Sequence, residues 1–255
     1  MRIVEVEGLT KNFGGLRAVD GLSFHIDKME ILGLIGPNGA GKTTVFNLIS
    51  GVYTPTRGTV RFRDAVISGL KPHKVARMGL ARTFQQTSLF QGMTVLENMA
   101  VGAHCKSGIG IVGTIVNSRK ARTSFGRMTG KNLRILKMLG LEKFGDELPA
   151  NLSYGHQRTL AMAVALASDP EVLLLDEPVA GMNPEETARV MRLVQNIRDA
   201  GVAILLVEHD MKMVMGICDR IVAISFGRKL AEGTPDEIRA DTAVINAYLG
   251  SQSID

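Results

Sequence analysis

Uninterrupted apolar runs alternate with helix-like stretches along most of this chain. Residues 31–35 (Ile-Leu-Gly-Leu-Ile), 171–178 (Glu-Val-Leu-Leu-Leu-Asp-Glu-Pro) and 202–207 (Val-Ala-Ile-Leu-Leu-Val) lack the polar alternation of a half-exposed strand. Such runs predict strands buried on both faces. Residues 59–63, 80–84 and 220–226 read as further strands. Helices are predicted over 44–49, over 71–79 with Pro72 near the start and Gly79 at the end, and from Ser153 as N-cap to Ser168, where Asp169-Pro170 stops the chain. Two more are predicted over 184–199, capped by Asn183, and over 235–249. Near the N-terminus, 3–6 and 18–26 alternate in strand fashion around a turn-rich loop at 8–15, which predicts an antiparallel hairpin-like region. Strand and helix in alternation predict an α/β fold built on a mostly parallel sheet covered on both faces.

The pattern changes from about residue 94. Residues 95–101 and 131–139 have helical spacing, and 107–130 is rich in Gly, Ser and Thr with Arg119, Lys120, Arg122 and Arg127. We read 94–153 as a helical insertion dividing a core of 1–93 and 154–255. Its basic run is either a solvated face or a contact for a membrane-embedded partner or lipid headgroups.

At 255 residues the chain has room for one large or two small domains, and 45% hydrophobic with 22% charged residues is ordinary globular composition. A net charge of +5 without a clustered basic face argues against nucleic acid as a partner. Cys105 and Cys218 sit in no metal spacing and suggest free thiols in a reducing compartment. Residues 1–7 alternate apolar and charged positions and lack the apolar centre of a signal peptide. No window approaches the ~20 apolar residues of a spanning helix. The expected location is cytoplasmic, with any membrane association made through partners.

The sharpest chemical signal follows the first buried strand. Gly36-Pro37-Asn38-Gly39-Ala40-Gly41-Lys42-Thr43 fits the phosphate-loop pattern G-x-x-x-x-G-K-[ST] in its strand–loop–helix setting. The glycines let backbone N–H groups converge on phosphate oxygens, and the helix presents its positive end to the same anion. Lys42 can reach the outer phosphates, and Thr43 can ligate Mg²⁺. Asp176 and Glu177 end another buried strand: Asp176 is placed to hold Mg²⁺, and Glu177 to orient or deprotonate water. His209 ends a third and can bond a terminal phosphate. Gln85 also follows a strand. Ligands bind at the carboxyl ends of parallel strands, so one sheet edge would collect all of these groups. Phe13 is either a base-stacking ring or simple packing.

Leu152-Ser153-Tyr154-Gly155-His156 resembles the LSGGQ signature of ABC-type ATPases. With the phosphate loop, Gln85, Leu173–Pro178, Ala180-Gly181-Met182-Asn183 as a D-loop and His209 as a switch histidine, the resemblance covers nearly the whole chain. It implies a phosphate-loop NTPase core with an N-terminal antiparallel region and an inserted helical subdomain. It implies ATP and Mg²⁺ as cofactors, with nucleotide contacts from Phe13, Gly36, Pro37, Asn38, Gly39, Ala40, Gly41, Lys42, Thr43, Thr44 and Gln85. Metal ligation would fall to Thr43, Gln85 and Asp176, and catalysis to Glu177, His209 and Lys42. It further implies a head-to-tail dimer in which Ser153, Tyr154, Gly155 and His156 of one subunit meet the ATP held by the other. Tyr154 replaces the usual second Gly of the signature and His156 its Gln. Asn183 stands where Asp is common, and Phe13 where Tyr is common.

Within that superfamily the chain looks most like the ATPase subunits of branched-chain amino acid importers, through Asn12-Phe13-Gly14-Gly15-Leu16, Ala81-Arg82-Thr83-Phe84-Gln85 and Glu208-His209-Asp210-Met211. That resemblance implies membrane permease subunits, a second ATPase subunit of the same or a different chain, and indirectly a solute-binding protein. It places the chain peripherally on the inner face of the cell membrane. Two other readings compete. A non-transport ABC ATPase working on nucleic acid or protein assemblies usually has paired modules or a long coiled-coil insertion, and this chain has neither. A nucleotide kinase would need an acceptor site and lid for which no residues stand out.

Overall fold

The computed structural model describes residues 1–83, 89–107 and 130–249. It opens with a long antiparallel hairpin of β1 (Arg2–Phe13) and β2 (Leu16–Asp27). The loop expected over 8–15 is therefore strand nearly throughout, and the turn is confined to Gly14-Gly15. The register slips between Val6 and Leu9 and again between Leu9 and Lys11. Each slip breaks the period of two that marks a strand in sequence. Gly8 takes φ 56° there, a conformation most side chains avoid.

The buried run at 31–35 forms β3 (Ile31–Ile35), and α1 (Lys42–Ile49) follows the phosphate loop. β4 (Arg57–Phe62) pairs with β1, and the short β5 (Ala65–Val66) pairs with β4, giving a four-stranded sheet in the order β2-β1-β4-β5. Next come α2 (Pro72–Met78), β6 (Leu80–Arg82), α3 (Val95–Ser107) and α4 over 130–138. The second half contributes α5 (Tyr154–Ala167), β7 (Val172–Asp176), α6 (Pro184–Asp199), β8 (Ala203–Val207), α7 (Met211–Ile217), β9 (Arg220–Ser225) and β10 (Arg228–Gly233). The six-stranded sheet runs β10-β9-β3-β8-β7-β6, parallel except where β10 meets β9.

Every residue of β3, β7 and β8 is buried, because alternate side chains enter different cores. Leu32, Leu34, Val172 and Leu174 pack toward α1 and the antiparallel sheet with Val6 and Phe46. Ile31, Ile35, Leu173 and Leu175 pack toward the helices with Leu160, Val194 and Met213. Val95 and Met99 of α3 and Leu136 of α4 join that second core. Gly102 lets α3 close on α5: a Cβ there would lie 2.2 Å from the Val164 carbonyl oxygen.

The single helix expected over 235–249 is two, α8 (Pro235–Ala240) and α9 (Thr242–Leu249). Asp241 breaks them with ψ 116° and caps the second, its Oδ1 accepting the N–H groups of Ala243 at 2.8 Å and Val244 at 3.0 Å. No helix among the described residues is long and apolar enough to cross a membrane. Most of the basic run, with Arg119, Lys120, Arg122 and Arg127, lies outside the described residues, as does Gln85.

Candidate functional site

β3, β7 and β8 end side by side. Leu34 and Asp176 both stand level with Val207 of the middle strand, so the loop after β3 and the turn after β7 flank the end of β8. At Gly36 a Cβ would lie 2.2 Å from the Ile224 carbonyl oxygen. Gly41 has φ 102° and no room for a side chain, since a Cβ would come 2.5 Å from the Ala18 oxygen. The main chain beyond is tied down as well: Gly227 N–H donates to Ala40 O, and Asp20 N–H to Gly227 O, each at 2.9 Å. Gly41 precedes α1 without a side-chain cap, leaving the first N–H groups of that helix to an anion.

Lys42 is buried, and its ammonium folds back on the loop, donating to Gly36 O at 2.6 Å and Pro37 O at 3.0 Å. Burial pushes its pKa down, against the upward pull of Glu177 and Asp176. Around it opens a cleft of about 500 Å³ lined by Phe13, Asn38 to Thr44, Glu177, His209 and Phe226. Phe13 stands edge-on to Tyr53 with ring centres 5.2 Å apart, and it is 41% exposed, so it both packs and offers a free surface.

Asp176 is 2% exposed. Burial raises its pKa, opposed by the neighbouring Arg82 guanidinium, which reaches Oδ2 at 3.0 Å. Oδ1 is buried and has no hydrogen-bond partner among the described residues. A buried carboxylate oxygen left orphaned beside a phosphate loop suits a divalent cation or its water, so the donor set fits Mg²⁺. Glu177 is left-handed at φ 49°, uncommon for a residue with a side chain and concentrated at functional sites. Its N–H donates to Val207 O at 2.9 Å, and its Oε1 lies 2.8 Å from His209 Nε2.

The signature segment forms the N-terminus of α5 and is absent from the cleft lining. Ser153 is the N-cap, its Oγ accepting the His156 N–H at 3.3 Å. Gly155 has Glu186 Oε1 3.3 Å from where its Cβ would be, and the His156 ring tilts against Phe144 at 4.8 Å. Asn183 caps α6 in a capping box with Glu186. The structure thus gathers the phosphate loop, Phe13, Glu177 and His209 in one cleft with Asp176 beneath. Ser153 to His156 are not among the residues that line that cleft.

Sequence reasoning gave no role to several residues that organise this edge. Glu208 is buried, and burial raises its pKa even though backbone N–H groups oppose the shift. Its Oε1 accepts the Val179 N–H and its Oε2 the His209 N–H, each at 2.9 Å, tying the turn after Glu177 to His209. Its signal was a carboxylate closing an apolar strand. Arg158 donates from Nε and Nη2 to the Tyr154 hydroxyl and from Nη1 to the Glu177 carbonyl at 3.1 Å. Tyr154, foreign to the usual signature, therefore has a partner one helical turn on. Arg82 joins Asp176 to Asn47 of α1.

Such a site, on a parallel sheet flanked by an antiparallel one, defines a phosphate-loop nucleotide hydrolase. The profile described as "ABC transporter" matches residues 19–180, and that described as "Branched-chain amino acid ATP-binding cassette transporter" matches residues 228–253. The chain is 44% identical over 249 residues to the high-affinity branched-chain amino acid transport ATP-binding protein LivG of Escherichia coli K12, covering 97% of this chain and 98% of that one. It is 43% identical over 249 residues, with the same coverage, to the corresponding protein BraF of Pseudomonas aeruginosa. The ADP conformation of MJ1267, an ATP-binding cassette of an ABC transporter, superposes with a TM-score of 0.85 at 29% identity, covering 98% of this chain and 99% of that one. The cassette MJ0796, solved as a dimer, gives 0.76 at 25% identity, covering 91% and 98%. The chain belongs to the ABC transporter family, as one of its ATP-hydrolysing cassettes.

Proposed function

We propose that this cassette powers a membrane importer of branched-chain amino acids. The observation that carries the reading is the match of residues 228–253 to the branched-chain amino acid cassette family, on a chain that resembles LivG and BraF end to end. ATP enters the cleft with its phosphates on the loop 36–41 and the N-terminus of α1, and Lys42 swings from the Gly36 and Pro37 carbonyls to the outer phosphate oxygens. Phe13 turns its exposed face to the base. Asp176, Thr43 and Gln85 would hold Mg²⁺, and the bound ion would supply positive charge against the phosphates. Glu177 takes the proton of the attacking water, and His209 fixes the Glu177 carboxylate and faces the terminal phosphate.

Ser153, Tyr154, Gly155 and His156 lie outside this cleft, which supports their meeting the ATP of a second ATPase subunit. The segment 94–153, read from the sequence as a helical insertion, would face permease subunits. A solute-binding protein delivers the amino acid from the far side, and the cassette sits on the inner membrane face through the permease. Vesicles holding the chain with its permease and second ATPase subunit test the reading. ATP-dependent uptake of radiolabelled leucine, isoleucine or valine is expected. Active ATP hydrolysis without uptake of any of them contradicts it.

A further inference from the structure

Arg82 ends β6, three positions before Gln85, where its side chain is only 12% exposed. A buried guanidinium must find partners. From Nη2 it donates to Asp176 Oδ2 at 3.0 Å, and from Nη1 to Asn47 Oδ1 at 2.5 Å and Ser50 Oγ at 3.3 Å. Its Cζ lies over the Phe46 ring, 5.6 Å from the ring centre. Asn47 belongs to α1, whose first residues form the phosphate seat, and Ser50 caps its C-terminus. Asp176 is held on the other side, at the end of β7.

The consequence lies in which carboxylate oxygen is used. Arg82 occupies Oδ2, while Oδ1 stays buried with no hydrogen-bond partner among the described residues. We infer that Arg82 is a positioning residue for the metal: it fixes the Asp176 carboxylate so that Oδ1 faces the phosphate loop, and it locks that carboxylate to α1. The inference rests on the reading that Asp176 holds Mg²⁺. The planar fork is what the role requires, since it spans two elements in one fixed plane. A lysine places one ammonium and cannot hold Asp176, Asn47 and Ser50 in that geometry. Groups that orient a metal ligand from behind typically matter about 10–100-fold in metal affinity.

The test is equilibrium binding of a fluorescent ATP analogue to the full chain, with Mg²⁺ and with EDTA. The readout is the ratio of the two affinities, which needs no turnover. Parent protein, Asp176→Asn, Arg82→Met and Arg82→Lys are compared, with thermal melts to establish folding. In Arg82→Met the Mg²⁺-dependent tightening should fall roughly tenfold or more, with affinity in EDTA unchanged. Arg82→Lys should fall between the two. Removing one partner of a buried ion pair is costly, and if Arg82→Met fails to fold, Arg82→Lys decides the matter. Should Asp176→Asn lose the tightening while folded Arg82 variants keep it, the positioning role is wrong and the metal reading stands. Should Asp176→Asn also keep it, the metal reading fails and takes this inference with it.

Discussion

Glu177 Oε1 and His209 Nε2 lie 2.8 Å apart, across the ends of the neighbouring strands β7 and β8. Glu177 makes the contact from a left-handed conformation, its N–H donating to the Val207 carbonyl and its carbonyl accepting from Arg158. If His209 fixes the carboxylate that activates water, His209→Ala should lower kcat by roughly 10² while leaving the KM for ATP near the parental value. Steady-state kinetics separates the two. A rise in KM at constant kcat would place His209 in substrate binding alone.

Lys42 spends its charge on the Gly36 and Pro37 carbonyls here, and the proposed role transfers it to phosphate oxygens. Lys42→Ala should weaken ATP binding by roughly 10- to 100-fold, the range of a charge-assisted hydrogen bond. Calorimetric titration measures it. Parental affinity would remove Lys42 from the phosphate site.

The buried strands and the phosphate loop were legible in the sequence because both rest on local signals. Three unpunctuated apolar runs became β3, β7 and β8, and their parallel order placed the loop, Asp176-Glu177 and His209 together. What failed was structure without a period. Bulges hid the middle of β1, and the edge strand β10 is Arg-Lys-Leu-Ala-Glu-Gly, with no apolar face to read. The helix break at Asp241 left no Gly or Pro as a marker. The supporting contacts were invisible for another reason. Arg82 and Asp176 are 94 positions apart, and only the pairing of β6 with β7 makes them neighbours.

Asn183, at the D-loop position where the family often carries Asp, accepts the N–H groups of Glu185 and Glu186 at 3.0 Å each. Its first duty is to cap α6. Asn183→Ala should cost about 1 kcal/mol. That is a fall in Tm of roughly 2–4 °C for a chain of this size. Asn183→Asp keeps a capping oxygen near the positive helix end and should melt near the parent. Differential scanning calorimetry distinguishes them; equal Tm values for parent and Asn183→Ala would rule out a capping contribution.

Cys218 is buried at the end of α7, and burial, with Asp219 and Glu30 nearby, pushes its pKa up to about 12. The thiolate is the reactive form, so the native side chain should resist a disulfide reagent at mildly alkaline pH. In a Cys105→Ser background, colour release should appear only when denaturant unfolds the chain. Prompt stoichiometric labelling of native protein would contradict the burial.

The central claim is that ATP is hydrolysed in this cleft with Glu177 as the base. Glu177→Gln keeps shape and hydrogen-bonding capacity but cannot take the proton. Stalled on bound ATP, it should also associate in an ATP-dependent way, since blocking hydrolysis leaves ligand-linked assembly standing. Light scattering would register that, with Ser153→Arg added as the control. The direct measurement is steady-state phosphate release by Glu177→Gln and parent protein at saturating ATP, with nucleotide binding determined on the same samples. A fall of ~10²–10⁴ with binding retained is expected. Release at the parental rate would contradict the role given to Glu177.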